Sequence, residues 1–380
     1  MSMRALIRLL AILLLATTAG CGGGGGNDGS PTPGGGVPKI GHVFIIVLEN
    51  ENAATTFAPN SPATYLSKTL PSIGQFVPNY YGTGHLSLDN YVAMVSGQAP
   101  NAITQSDCMF FTDFIGAPVL VTDGQVLGQG CVYPSVVKTV ANQLQDAGLS
   151  WKGYMEDMGL DPAREAATCA RPALNARDGT QSASAKDQYA TRHNPFMYFH
   201  SIIDDHANCD AHVVPLTALS ADLADGSTPN YVFITPNLCH DGHDTGCANG
   251  EPGGLVSADL FLQTWVPQIM ASAAYKDDGL IIIMFDEAEA IGASAADSSS
   301  CCGEPTGLNT PLPGITGPGG GRVGAVLLSR FITGGTVNET PYNHYSLLRS
   351  VEDFFGLEHL GYAGQTGLKP FGAEVFNAGK

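Results

Sequence analysis

The sequence predicts an α/β fold, one large domain with a mostly parallel central sheet and helices on both faces. Two observations predict it. Short apolar runs rich in β-branched residues recur along the chain, and helical patterns fill the intervals between them. A strand apolar on both faces must be covered on both faces, and a strand–helix alternation returns each strand in the same direction.

The elements follow in order. His42–Leu48 (HVFIIVL) is the first apolar run, and Tyr231–Thr235 (YVFIT) reads the same way. So do residues 280–285 (LIIIMF) and 323–328 (VGAVLL), with Trp151–Met155 a weaker candidate. Helical spacing is predicted over 135–147, 216–224, 258–274 and 345–355. Residues 288–321 are rich in Gly, Ser and Pro and interrupt the alternation. A loop that long inside a compact domain is usually functional.

The chain begins with a segment that is not part of this fold. Arg4 and Arg8 precede an apolar run at 9–15, and Thr17, Thr18, Ala19 and Gly20 lead to Cys21. That layout predicts a signal peptide over 1–20. The small residues before Cys21 resemble a bacterial lipobox, which implies a lipidated Cys21 as the new N-terminus. Residues 22–38 are mostly Gly and Pro, a composition that cannot bury enough surface to fold. They read as a tether of about 20–25 Å root-mean-square reach. The globular domain is therefore expected over 39–380. Cys21 is followed by Gly22 rather than an acidic residue. The expected location is accordingly exported: outer membrane or cell surface through the lipid, otherwise periplasmic or secreted.

Seventeen Lys and Arg stand against 35 Asp and Glu. That balance carries no nucleic-acid-binding footprint, since phosphate-backbone binders cluster basic side chains. Eight cysteines follow Cys21: Cys108, Cys131, Cys169, Cys209, Cys239, Cys247, Cys301 and Cys302. An even count in an exported chain predicts up to four disulfides. Cys301 and Cys302 lie in the long loop, and a bridge from them to Cys239 or Cys247 would tie two motif loops together.

In open α/β sheets ligands bind beyond the carboxyl ends of the strands. The first strand runs into Glu49 and Asn50, the 280–285 strand into Asp286 and Glu287. The strand Tyr231–Thr235 runs into Pro236-Asn237-Leu238-Cys239-His240-Asp241-Gly242-His243-Asp244. Carboxylates and imidazoles converging on one rim suit divalent cations, and Zn, Ca, Mg, Mn and Fe all fit such donors. Each acid taken singly is also an ordinary strand-end or capping residue.

Ser87 lies in Gly82-Thr83-Gly84-His85-Leu86-Ser87-Leu88-Asp89-Asn90-Tyr91, at the start of a helical stretch. Free N–H groups and the helix dipole favour an anion there, which suits a nucleophile. The same position equally suits a plain N-cap. The G-x-S-x-G elbow of serine hydrolases is absent. His85, two residues earlier, reads either as a phosphate-contacting or leaving-group histidine or as a structural one.

Five ordered segments resemble a known family: HVFIIVLENEN, GTGHLSLDNYVAMVSGQ, FITPNLCHDGHD, IIIMFDEAE and YNHYSLLRSVEDFFGL. They look like the bacterial phosphoesterases, which include phospholipases C and acid phosphatases within the alkaline phosphatase superfamily. The resemblance implies Ser87 as nucleophile and Asn90 as the amide that supports a phosphoryl oxygen. It implies Glu49, Asn50, Asp286, Glu287, His344 and one His-Asp pair as metal ligands. The middle motif holds two such pairs, His240-Asp241 and His243-Asp244, and the second fits the resemblance better. His193, in Arg192-His193-Asn194-Pro195-Phe196, belongs to a segment recurring in this branch and takes no chemical role from it.

The expected activity is metal-dependent hydrolysis of phosphate esters through a phosphoserine on Ser87. The substrate would be a phospholipid, a nucleotide or a monoester, with the membrane met through the N-terminal lipid. Two other readings stand beside it: a metal-independent serine esterase, and a surface lipoprotein that binds Ca²⁺ without catalysis.

Overall fold

A computed structural model describes residues 36–289 and 296–379. The signal peptide, Cys21 and most of the tether lie outside the described residues, as does part of the long loop. Residues Pro33–Lys380 cluster as one compact unit.

An eight-stranded sheet organises it. In chain order its strands are β1 (His42–Leu48), β2 (Gln75–Val77), β3 (Trp151–Met155), β4 (Val213–Pro215), β5 (Tyr231–Thr235), β6 (Gly279–Phe285), β7 (Ala325–Leu328) and β8 (Thr336–Val337). Across the sheet they run β8-β2-β7-β6-β1-β5-β3-β4. The central pairings β6·β1, β1·β5, β5·β3 and β3·β4 are parallel, and β7 alone opposes its neighbours β6 and β2. Every residue of β5, β6 and β7 is buried, as is all of β1 after His42. This explains why those strands are continuous apolar runs instead of alternating ones.

The mostly parallel sheet matches the sequence expectation, with one reversal. Between β6 and β7 the described residues form no helix, and β7 pairs antiparallel with β6. β2, β4 and β8 span two or three residues each, too short for periodicity to reveal.

Five helices matter for the site and its support: α1 (Ser87–Ser96), α2 (Val140–Asp146), α3 (Leu219–Ala224), α4 (Gly254–Ala271) and α5 (His344–Phe355). α2 is about half the expected length. Pro134 directly precedes the expected stretch, and Thr139 begins the helix with a reciprocal capping box to Asn142. The expected 258–274 helix starts earlier, at Gly254, and stops at Ser272, whose hydroxyl caps a new short helix by accepting from Tyr275 N–H.

The eight cysteines form four disulfides: Cys108–Cys131, Cys169–Cys209, Cys239–Cys247 and Cys301–Cys302. The number agrees with the sequence reading, but the expected bridge between motif loops does not form. Cys239 and Cys247 close their own loop with Cα atoms 5.1 Å apart, and the adjacent Cys301 and Cys302 pair with each other. No helix among the described residues is long and apolar enough to cross a membrane.

Candidate active site

The carboxyl ends of β1, β5 and β6 are laced together. Glu49 N–H donates to the Asp241 carbonyl at 2.8 Å, and Asp286 N–H to the Leu48 carbonyl at 2.8 Å. Asn50 takes a left-handed conformation (φ 57°) and donates its N–H to Asp286 Oδ1 at 3.1 Å. Three acidic residues from three strand ends thus meet behind one rim.

Ser87 is the first residue of α1, and the N-cap position belongs to Leu86. The capping alternative is therefore not realised. The Ser87 hydroxyl instead donates to Glu49 Oε2 at 2.6 Å. Tyr91, one turn along α1, donates to Glu49 Oε1 at 2.5 Å, and Asn50 Nδ2 to Oε2 at 3.1 Å. Leu86 holds φ 73°, a costly conformation for a side chain of its size. Such strain persists only where the surroundings enforce it and is typical of functional turns.

The acidic pair after β6 divides its work. Asp286 Oδ1 accepts from Asn50 N–H and from Glu287 N–H, while Oδ2 is buried without a protein partner. Glu287 turns the other way: Oε2 contacts His85 Nδ1 and accepts from Leu86 N–H at 3.3 Å. His85 Nε2 lies 2.9 Å from the Asp297 carbonyl, so both ring nitrogens are engaged. That arrangement makes His85 a strut between the long loop and the turn before Ser87. Gly82 allows this closeness, since a Cβ there would lie 2.7 Å from the Asp286 carbonyl.

Asn90 is fully buried and wholly used by the same turn. Its Oδ1 accepts from Thr83 N–H (2.8 Å) and Gly84 N–H (3.0 Å), and its Nδ2 donates to the Gly84 (3.0 Å) and Leu86 (3.4 Å) carbonyls. The oxygen-supporting role implied by resemblance needs a free amide N–H, so in this geometry Asn90 positions the turn. His344 is likewise engaged at both nitrogens, by Tyr80 OH at 3.2 Å and by the Asp286 carbonyl at 2.5 Å. Burial holds its pKa down at about 4, so the ring is neutral.

The middle motif places its two His-Asp pairs differently. His243 and Asp244 have side chains 51% and 59% exposed and stay at the rim, whereas Asp241 is buried. Asp241 Oδ1 accepts from His243 N–H at 3.0 Å, and Oδ2 is left without a partner. His240 points elsewhere, between Glu156 (2.9 Å) and Glu251 (3.0 Å). Burial opposes its charge, yet those two carboxylates carry its pKa up to about 9. Among the described residues, Cys239, His240 and Glu251 bring ligand atoms within 4.8 Å of one another. The sulfur is in a disulfide and both imidazole nitrogens are already paired, so the donors are taken.

His193 completes the site. It stacks on Tyr91 with ring centroids 5.5 Å apart, and its Nε2 lies 3.3 Å from Glu49 Oε2. Nδ1 lies 4.0 Å from Asp241 Oδ2, and neither nitrogen makes a hydrogen bond. Burial first, then the charge of Arg192, holds its pKa well below the usual histidine range. Sequence reasoning noticed this segment without a role for it. His193 follows no strand, and only the fold brings it against Glu49.

The electrostatics are unbalanced. Burial first, then Asp286 and Asp241, raises the Glu49 pKa well above the usual range. Asp286 is raised by burial and Glu287, and burial pushes Asp241 up to about 7. Crowded buried carboxylates with unpartnered oxygens are the environment that a divalent cation offsets. The donor set (hard carboxylate oxygens, a hydroxyl and a neutral imidazole) fits such an ion.

Residues 60–358 match the Phosphoesterase family. The chain is 26% identical over 316 residues to a phosphate-repressible acid phosphatase of Penicillium chrysogenum, covering 83% of this chain and 59% of that protein. It is 23% identical over 327 residues to a phosphatidylinositol-3-phosphatase of Mycobacterium tuberculosis, covering 86% and 81%. The chain thus spans about three-fifths of the length of the first of these relatives. Among solved structures it superposes on the alkaline phosphatase PafA with a TM-score of 0.48 and 10% identity, covering 90% of this chain and 100% of that one. A Vibrio parahaemolyticus protein of the alkaline phosphatase superfamily gives 0.44 and 12%, covering 84% and 67%. With its family match running from the segment before β2 to the end of α5, the chain belongs to the phosphoesterase family.

Proposed function

We propose that this chain hydrolyses phosphate esters, in the manner of an acid phosphatase or phospholipase C, with a divalent cation and with Ser87 as nucleophile. One observation carries the reading: the Ser87 hydroxyl, at the start of α1, is held 2.6 Å from Glu49 Oε2 inside a buried ring of acids.

Glu49 and Asp286, with the Ser87 hydroxyl, would hold the cation, and Asp241 Oδ2 and His193 Nε2, both buried without a hydrogen-bond partner, offer further donors. When bound, the ion would supply positive charge that lowers the hydroxyl pKa and offsets charge on the phosphoryl oxygens. The protein's own residues do the rest. Glu49 and Tyr91 fix the direction of the Ser87 side chain, and Asn90, His85 and Glu287 hold the turn that presents it. Ser87 Oγ attacks phosphorus, forming an O–P bond as the bond to the leaving alcohol breaks. Water then cleaves the phosphoserine and restores the hydroxyl.

The family relatives named as phosphatases support the ester class, and the four disulfides fit an exported protein. The location we propose is the outer membrane or cell surface through a lipid on Cys21. The test of function is acid quenching during turnover of a ³²P-labelled phosphate ester. Label on the peptide containing Ser87, its loss in Ser87→Ala with at least about 10³-fold lower turnover, and abolition of activity by EDTA are expected. Label on a histidine peptide, or full activity in EDTA, would sink the assignment.

A further inference from the structure

Arg192 and His193 are neighbours on one tight turn, Thr191–His193, which packs against α1 through the stack of His193 on Tyr91. Their side chains part. His193 reaches Glu49, whereas the Arg192 guanidinium places Nε 3.7 Å from Asp107 Oδ2. The other oxygen of that carboxylate, Oδ1, accepts from Leu88 N–H at 3.0 Å in the first turn of α1. Asp107 thus links the guanidinium to the helix end that begins with Ser87. The remaining Lys and Arg ion pairs among the described residues, Lys152–Asp222, Arg164–Asp187 and Lys186–Asp161, involve acids outside this site.

The guanidinium is held in place without being used up. Its side chain is 13% exposed, and Nη1 donates to the Gln181 carbonyl at 3.2 Å. At 3.7 Å the approach to Asp107 is an ion pair, too long for a hydrogen bond. Arginine presents its N–H donors as a planar fork, and among the described residues the rest of this fork makes no hydrogen bond. The backbone beneath it is fixed: Thr191 N–H donates to Thr180 Oγ1 at 2.8 Å, and Gln181 Nε2 to the Asp107 carbonyl at 2.8 Å. Burial works against the charge, yet Asp107 first, then Glu49 and Asp241, hold its pKa above the ordinary arginine value. The acids that surround Ser87 therefore lie within the field of this cation.

We infer that Arg192 binds a nonbridging oxygen of the phosphoryl group that Ser87 attacks. The inference rests on the proposed function. A phosphate ester brings negative charge to a site whose own side chains, Glu49, Asp241, Asp286 and Glu287, are acids. A divalent cation offsets part of that charge, and a fork of N–H donors matches phosphoryl oxygens in shape as well as in sign. The other use of this side chain is a brace for Asp107, and the two uses respond differently to substitution.

The test measures binding of inorganic phosphate to the full chain as purified, by calorimetry, beside steady-state turnover of p-nitrophenyl phosphate. Arg192→Gln should weaken phosphate binding at least about tenfold and lower kcat/KM by at least as much. Arg192→Lys keeps the charge without the fork, so its phosphate affinity should fall between those of Arg192→Gln and the parent. Asp107→Asn removes the ion pair, keeps an acceptor for Leu88 N–H and leaves Arg192 in place. Its phosphate affinity should match or exceed that of the parent. A brace predicts equal losses in Arg192→Gln and Asp107→Asn, and that result overturns the proposal. So does parent-level affinity in Arg192→Gln, or a parent that binds no phosphate. If Arg192→Gln does not fold, Arg192→Lys set against Asp107→Asn decides in the same way. Parent protein that binds phosphate through Arg192 and hydrolyses no ester supports the anion site and overturns the catalytic reading.

Discussion

Ser87 and Glu49 meet through a 2.6 Å hydrogen bond although 38 residues separate them in the chain. The carboxylate that receives this bond also accepts from Tyr91 and Asn50 and lies 3.3 Å from His193 Nε2. Glu49 is therefore the hub through which the first strand, α1 and the 191–198 segment are joined.

Removing the charge of that hub should separate stability from function. In metal-stripped protein, Glu49→Gln relieves repulsion from Asp286 and Asp241 and lessens the cost of burial, so unfolding should require about 1–2 kcal/mol more. Turnover should fall at least about 10²-fold, the scale of losing one group that stabilises transition-state charge. Urea denaturation with EDTA present, beside steady-state kinetics, measures both. A destabilised variant would argue against an uncompensated acid at this position.

Asn90→Ala should act on the turn. The change deletes an amide that accepts from Thr83 and Gly84 and donates to Gly84, and leaves those backbone groups unpaired in the interior. A stability loss of about 2–4 kcal/mol is expected, together with lower turnover. Asn90→Asp keeps the acceptor and should recover part of both. An amide serving only the phosphoryl oxygen would leave the melting temperature unchanged.

His193→Ala removes the ring between Glu49 and Asp241 and its stack on Tyr91. Turnover should drop about 10²-fold or more, and bound divalent metal measured by elemental analysis should fall with it. Unchanged metal content with normal turnover would reduce His193 to a packing partner of Tyr91.

Glu352 supplies a pH dependence away from the site. It is buried in α5, with Oε1 accepting from Leu360 N–H at 2.8 Å and Oε2 without a partner. Burial pushes its pKa up to about 9 from an ordinary 4.5. The folded protein thus holds a proton that the unfolded chain releases between these values. Its contribution is fully present below about pH 4.5 and is lost as pH rises toward 9, by at most about 1.4 kcal/mol per unit. The melting temperature of Glu352→Gln should therefore fall less between pH 6 and pH 8 than that of the parent. Parallel pH profiles would contradict the shift.

Much of this protein was legible from residue order alone. Apolar runs buried on both faces declare themselves as strands of a covered sheet, and where those strands run parallel, as β1, β5 and β6 do, the polar residues directly after them lie at one edge. Glu49, Asp286 and the 237–244 segment were placed at that edge in this way, and the even count of cysteines pointed to up to four disulfides, the number that forms. Local spacing could not say where side chains in loops would point. Only the tertiary structure turned Glu287 toward His85 and buried Asp241 in place of Asp244. It also committed Asn90 to its own turn and carried His193 across to Glu49. The reason is physical: strand direction follows from burial along the local chain, whereas a loop side chain is oriented by partners distant in sequence. Those partners are brought together only when the sheet has formed.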